Sequence, residues 1–217
     1  MNPLRALFTL DPDIAFLNHG SFGATPIPVM DEWQAWQRRL ERQPVQFFIT
    51  DLPDLLATAR QALADLIHAG RDDLVFVPNA TTAVNLIAHS LDLGPGDDVL
   101  TTEQEYGACD YAWNFYSQRQ GFRVVRQPLP FPPRSDEEMA ELFWQGVTPQ
   151  TRLIFISHIT STTAVRFPVA LICQKAREAG ILTLVDGAHA VGQIPLDMAA
   201  IGADFYTSNC HKWQWAQ

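Results

Sequence analysis

From Leu74 onward, short apolar runs alternate with longer stretches whose apolar residues recur at helical spacing. Leu74–Val77 predicts a strand, and a helix is expected from Thr81 to Leu91. Val99–Thr101 then predicts a strand, followed by a helix from about Ala108 to Gln120 that Gly121 closes. Phe122–Val125 predicts the next strand. A proline-rich connection leads to Ser135, which with Glu138 forms a capping-box signal for a helix running to Val147. Arg152–Ser157, a helix over 168–179 ended by Gly180, the apolar run Ile181–Val185 and the short strand Asp204–Thr207 complete the series. Such alternation with short connections predicts an α/β fold, a mainly parallel sheet with helices on both faces.

Two helices precede the first strand. Thr25 is placed to cap one that begins at Pro26, with Ile27, Met30, Trp33 and Leu40 at roughly helical spacing. Asp51 precedes Pro53 in the same way, and Leu55, Leu56, Ala59, Leu63, Leu66 and Ile67 form an amphipathic stripe that stops at Gly70. Residues 1–24 carry few helical signals and are expected to be an ordered arm. Residues 25–217 then read as one large domain.

The chain has 217 residues, of which 47% are hydrophobic, enough for a sizeable core. Its formal charge of −9 argues against nucleic acid and anionic membranes as partners. Three widely spaced cysteines, Cys109, Cys173 and Cys210, suit neither a disulfide framework nor a zinc site and fit a reducing cytoplasm. The first residues lack the apolar core of a signal peptide, and no apolar run approaches the ~18 residues of a membrane span.

Chemistry concentrates where strands end. Asp186, Gly187, Ala188 and His189 follow one strand; Ser208, Asn209, Cys210, His211 and Lys212 follow another that is expected to lie nearby. Ligands of open parallel sheets sit outside the carboxyl ends of strands. A lone lysine is normally solvated, but Lys212 lies among Trp213 and Trp215, whose apolar bulk favours the free amine that forms a Schiff base with a carbonyl cofactor. Asp186 is either a turn cap or a carboxylate that pairs with a pyridinium nitrogen. Asn79 to Ala83 leads into a helix N-terminus, either ordinarily capped by Asn79 or Thr81 or serving as a phosphate cradle. Tyr106 either packs in the core or stacks on a planar ring, and Ser157, His158, Thr160, Ser161 and Thr162 cluster after another strand. Two rival chemistries are weaker. Asp186, His189 and His211 form only a loose metal pattern, and the nucleophile elbow of a serine hydrolase does not occur.

These segments have a family likeness. Asn18-His19-Gly20-Ser21-Phe22-Gly23, the run 79–85, Glu105-Tyr106-Gly107-Ala108, the run 157–161, Asp186-Gly187-Ala188-His189 and Asn209-Cys210-His211-Lys212-Trp213 resemble, in order, the class V aminotransferase family of pyridoxal-phosphate enzymes. The branch resembled is that of isopenicillin N epimerase-like proteins, related to cysteine desulfurases and carbon–sulfur lyases. The resemblance implies the large domain of a fold type I enzyme with pyridoxal 5'-phosphate as cofactor, an amino-acid substrate and a homodimer. It makes Lys212 the Schiff-base lysine and proton shuttle, and Asp186 the partner of the pyridine nitrogen. His189 falls where relatives often have Gln contacting the ring hydroxyl, and Ser161 near a position that is Asn in desulfurases. Ala80, Thr81 and Thr82 would hold phosphate, joined by Asn209 and His211, while Tyr106 stands where desulfurases stack a histidine. Epimerase, lyase or aminotransferase chemistry are all compatible.

The departures are also informative. Family members run to about twice this length, so the small domain and a substrate-carboxylate arginine are expected to be missing, and the alternative expectation is a non-catalytic remnant. Cys210 is not expected to carry persulfide. Ala164 stands where relatives usually have Gly.

Overall fold

The computed structural model describes residues 3–216. In chain order its elements are a 3-10 turn (Pro3–Leu7), α1 (Ile27–Arg42), α2 (Pro44–Gln46), a π-helical turn (Phe47–Asp51), α3 (Leu52–Ile67), a second 3-10 turn (Arg71–Asp73), α4 (Ala80–Ser90), β1 (Asp98–Thr102), α5 (Gly107–Gln120), β2 (Arg123–Gln127), α6 (Asp136–Trp144), β3 (Thr151–Ser157), α7 (Val169–Glu178), β4 (Leu182–Asp186), α8 (Met198–Ile201), β5 (Phe205–Thr207) and α9 (Cys210–Trp213). They form two compact units. Within the described residues, one comprises 3–76, 191–196 and 209–216, and the other 77–190 and 197–208.

The second unit contains the whole sheet. Its five strands are parallel in the order β2-β1-β3-β4-β5, the α/β architecture expected from the alternating pattern. Successive side chains of a strand point to opposite faces. Leu153 and Phe155 of β3 therefore join Val99 and Leu184 on one side, where they meet Val84 and Ala88 of α4 and Cys109 and Trp113 of α5. Ile154 and Ile156 belong to the opposite face, as do the helices α6 and α7, whose buried residues include Phe143 and Ile172. Burying each such side chain stabilises the fold by about 1.5–3 kcal/mol, so both faces of β3 are anchored.

Local signals set the helix ends. Ser135 Oγ accepts the Glu138 N–H at 3.1 Å, as the capping box requires. Asn79 caps α4 by accepting the Thr82 N–H at 2.8 Å, and Gly121 ends α5 with φ +87°.

The expectations fail at three places. Leu74–Val77 forms no strand: Val75 is 80% exposed, and no strand of the described residues pairs with the segment. Apolar residues and an extended backbone make a strand only when a neighbour completes the hydrogen-bond ladder. Thr25 does not cap α1, whose N-cap is Pro26 without a side-chain bond. Asp51 does not cap α3 either. It sits in helical conformation at the end of the π turn, and its carboxylate accepts from Arg39 at 2.7 Å instead. Among the described residues, no helix is long and apolar enough to cross a membrane.

At the amino end of the sheet, Asp98 is fully buried and accepts from Arg123 Nε and Nη2, each at 2.8 Å, with Thr148 Oγ1 donating at 3.0 Å. The bonds from Arg123 hold the Asp98 carboxyl below its ordinary range, against the opposing effect of burial. A depressed carboxylate contributes stability that is present above its unfolded pKa and lost as pH falls through the folded one. Asp98→Asn is therefore expected to lower unfolding free energy at pH 7 by about 1–3 kcal/mol, and the gap to the parent chain should close in acid. Denaturant unfolding at pH 7 and at progressively lower pH checks both statements.

Candidate cofactor site

The carboxyl edge of the sheet in the second unit carries a row of buried polar residues. Ser157, Asp186 and Thr207 stand in register on the adjacent strands β3, β4 and β5. The ladder continues one step beyond them: the His158 N–H donates to the Asp186 carbonyl and the Gly187 N–H to the Thr207 carbonyl, each at 2.8 Å. Parallel neighbours lie about 4.8 Å apart, so these residues form a compact polar shelf.

Asp186 is 4% exposed. Its Oδ1 accepts the Ala188 N–H at 2.9 Å, a local turn bond, and its Oδ2 lies 3.7 Å from the Cys109 thiol. The aspartate closes its own turn and also faces a buried thiol. Burial, with Asp186's charge next, pushes the Cys109 thiol far up, so it stays protonated and is able to donate to the carboxylate. Cys109 also interacts with Thr81 at the start of α4. The thiol therefore joins the helix that bears Ala80, Thr81 and Thr82 to the strand that bears Asp186. Thr82 Oγ1 lies 3.1 Å from Asn79 Oδ1.

Glu105 was not among the expected site residues. It is buried, and its carboxylate accepts Thr102 Oγ1 at 2.7 Å, Ser157 N–H at 2.9 Å and Ser157 Oγ at 2.6 Å. Burial, opposed by these hydrogen bonds and reinforced by the charge of Asp186, raises its pKa to about 7. The available signal was a glutamate placed between a strand carrying two threonines and the N-cap tyrosine of the next helix.

His158 Nδ1 and Tyr206 Oη are 2.8 Å apart. Burial, and then the positive charge of Arg166, lowers His158 to about 4, so it is neutral at pH 7. Burial first, with Asp186 behind it, raises Tyr206, which keeps its proton. Gly187 is required here, because a Cβ at that position would run into the Tyr206 ring.

The remaining expected residues of this unit are less enclosed. Tyr106 precedes α5 and is 44% exposed. His189 is half-buried in the turn after β4, and Ser161 is exposed in the turn after β3. Ala164 closes that turn with φ +53°, the left-handed region that glycine occupies without steric cost.

Asn209, His211 and Lys212 belong to the other unit. Asn209 is 7% exposed and Lys212 9%, an unusual burial for a lysine, while His211 is half-buried. The Gly23 N–H donates to the His211 carbonyl at 3.1 Å, and a Cβ on Gly23 would strike the carbonyls of both His211 and Lys212. His19 Nδ1 accepts the Ala24 N–H at 3.2 Å, and its ring lies near Phe8, Phe16, Trp213 and Trp215. The conspicuous glycine and histidine of the N-terminal motif thus hold the backbone and aromatic surroundings of the lysine segment. Burial pushes the Cys210 thiol up, away from the thiolate a nucleophile needs.

Within the second unit, a buried aspartate at a strand end and a capped helix N-terminus bearing two threonines are the kinds of group that fit the ring nitrogen and the phosphate of pyridoxal phosphate; the first unit separately holds a buried lysine. The parallel sheet with helices on both faces is the architecture of the fold type I class. The family follows from comparison. The aminotransferase class-V model matches residues 24–215, and the chain belongs to that family of pyridoxal-phosphate enzymes. It is 39% identical to isopenicillin N epimerase of Amycolatopsis lactamdurans over 212 residues, covering 96% of this chain and 53% of that protein. A probable chloroplastic L-cysteine desulfhydrase of Arabidopsis thaliana is 35% identical, with 95% of this chain and 46% of the relative covered. Among solved structures, a C-DES mutant with glycine covalently linked to its PLP cofactor superposes with a TM-score of 0.88 at 25% identity, over 96% of this chain and 56% of that one. The chain spans about half the length of the curated relatives it matches.

The left-handed Ala164 gives a test of the turn that holds Ser161. An L-residue other than Gly, Asn or Asp costs roughly 1–2 kcal/mol in this region, against about 0.5–1 kcal/mol of extra chain entropy lost by glycine. Ala164→Gly is expected to stabilise the chain by about 0.5–1 kcal/mol, read as a raised midpoint in denaturant unfolding with an unchanged slope.

Proposed function

We propose that this chain holds pyridoxal 5'-phosphate and acts on an amino acid by Schiff-base exchange at Lys212. When bound, the cofactor supplies a carbonyl and an electron-withdrawing ring that makes the substrate Cα–H acidic. Lys212 Nζ would be the amine that holds the cofactor and, as a free amine, would take and return the substrate Cα proton. Asp186 accepts the ring N–H and keeps that nitrogen protonated. The N-terminus of α4, with Ala80, Thr81 and Thr82, binds the phosphate by its N–H groups and hydroxyls, and Asn209 and His211 add donors from the lysine segment. Tyr106 would cover a ring face, while His189 and Ser161 would bond the ring's polar substituents.

The observation that carries this reading is that a class V chain buries both Asp186, at the end of β4, and Lys212, five residues beyond β5, each within its own unit. The named activities of the relatives, epimerisation and cysteine desulfhydration, share removal of a proton from Cα and divide afterwards. Epimerisation returns the proton to the opposite face; elimination expels a β-substituent. The same reading includes pairing of two copies of this chain, supported by apolar side chains such as Val29, Trp33, Phe48 and Ile49 that lie exposed on the first helices. A cytoplasmic location is supported by the free thiols.

The purified 217-residue chain mixed with pyridoxal phosphate is expected to develop a visible absorbance band that Lys212→Ala lacks. The absence of a lysine-dependent band overturns the proposal. With the band present, a panel of L- and D-amino acids, scored for inversion, keto-acid and sulfide, separates the three chemistries.

A further inference from the structure

We propose that His158 and Tyr206 are positioning residues for Asp186: joined by a hydrogen bond, they brace the peptide that carries the aspartate from the face of the sheet opposite its carboxylate, and so set where that carboxylate meets a cofactor ring. The inference rests on the reading of Asp186 given above and extends it to two residues to which that reading gives no part.

The brace is a closed ring of contacts within the second unit. Val185 pairs with Tyr206, and Asp186 with Thr207. Because successive side chains of a strand alternate, Tyr206 lies on the face of Val185, whereas the Asp186 side chain turns to the other face and meets Cys109 of α5. The hydroxyl-bearing edge of the Tyr206 ring reaches past the end of β4 and fills the space that a Cβ on Gly187 would need. His158 closes the ring. Its N–H donates to the Asp186 carbonyl at 2.8 Å, and its Nδ1 stands 2.8 Å from Tyr206 Oη, the two rings meeting edge to face. Gly187 is also tied to the end of β5, its N–H donating to the Thr207 carbonyl at 2.8 Å and its carbonyl accepting Ser208 Oγ at 3.2 Å. One residue on, the Ala188 N–H donates to Asp186 Oδ1 at 2.9 Å, so the turn and the carboxylate move together.

Glycine has the widest backbone freedom of any residue, and here it directly follows the residue whose carboxylate has to be placed. Constellations of this kind must be held to within about 0.5 Å. The Tyr206 ring removes the freedom of Gly187 by contact, and the bond to His158 fixes the ring. The pair is neutral at pH 7: burial, and then Arg166, lowers His158 to about 4, and Tyr206 keeps its proton. It therefore acts by position, and Tyr206→Phe removes the brace without changing any formal charge beside the aspartate.

The ligand-free chain gives the first test, because the Ala188 amide reports on the carboxylate that accepts it. Tyr206→Phe is expected to speed hydrogen exchange at Ala188 by about five- to tenfold relative to the core amide of Leu184 in the same protein. His158→Ala should do the same. His158→Asn, whose carboxamide puts a hydrogen-bonding atom near the place of Nδ1, should restore most of the protection, and Tyr206→Phe combined with His158→Ala should exceed neither alone. An unchanged ratio, with Ala188 steady or with Leu184 accelerated to the same degree, overturns the inference. Calorimetry with pyridoxine 5'-phosphate, which has the ring and phosphate but no aldehyde, then asks whether the brace acts through Asp186. Tyr206→Phe should weaken its binding to the parent chain by about three- to tenfold, and to Asp186→Asn by less than about twofold. An equal loss in both backgrounds, or none in the parent, sinks the positioning role while sparing the cofactor reading; no binding to the parent chain sinks both.

Discussion

The parallel register of β3, β4 and β5 is the constraint on which the rest of the second unit depends. It aligns Ser157, Asp186 and Thr207 across three neighbouring strands. A slip of one residue would turn each side chain to the opposite face of the sheet, exchanging Leu184 for Val185 in the core and removing Asp186 from Cys109. The register is fixed at both ends of β4. Thr183 and Asp204 exchange three hydrogen bonds at its start, and backbone bonds to the Asp186 carbonyl and from Gly187 continue the ladder past its end. The apolar residues between them are completely buried.

Such an edge is costly, because it takes carboxyl groups out of water. An unpaired buried polar group costs several kcal/mol, and each acid here is answered by donors in its immediate surroundings. Glu105 has a backbone N–H and two hydroxyls; Asp186 has the Ala188 N–H and the Cys109 thiol. The opposite end of the sheet handles the same problem differently, with Asp98 neutralised by a guanidinium. A permanent cation at Asp98 makes a fixed structural pair. At Asp186 the donors named above are a thiol and a backbone amide.

The strands and helices of the second unit were legible because their signals are local and mutually consistent: buried apolar runs, the Ser135 box, the glycine stop at Gly121. Asp186 was legible for the same reason, as a polar residue ending a continuous apolar run. Leu74–Val77 has the composition of a strand but lacks a partner, and pairing is not encoded in the four residues themselves. Thr25 and Asp51 have the right chemistry for caps, yet Pro26 takes the capping position in one case and Arg39 takes the carboxylate in the other. Glu105 was missed because what distinguishes it is long-range: Ser157 is 52 residues away in sequence, and only the folded sheet brings that hydroxyl to its carboxylate.

The N-terminal motif extends this lesson to the lysine. His19 and Gly23 belong to a run in which two glycines bracket polar groups, and the structure gives them a mechanical role within the first unit. Gly23 has no Cβ because the carbonyls of His211 and Lys212 occupy that space, and its N–H fixes one of them. Gly192 meets a similar limit at the Trp213 carbonyl, which would lie 2.8 Å from an added Cβ. Two glycines distant in sequence therefore press on consecutive peptide groups of one short segment. A lysine side chain has four rotatable bonds and is disordered by default; fixing the peptides on either side of it removes backbone freedom from the base of that chain, where a small rotation would displace Nζ by several ångströms. The precision that the proposed role would ask of Lys212 is set, in this chain, by residues with no functional group at all.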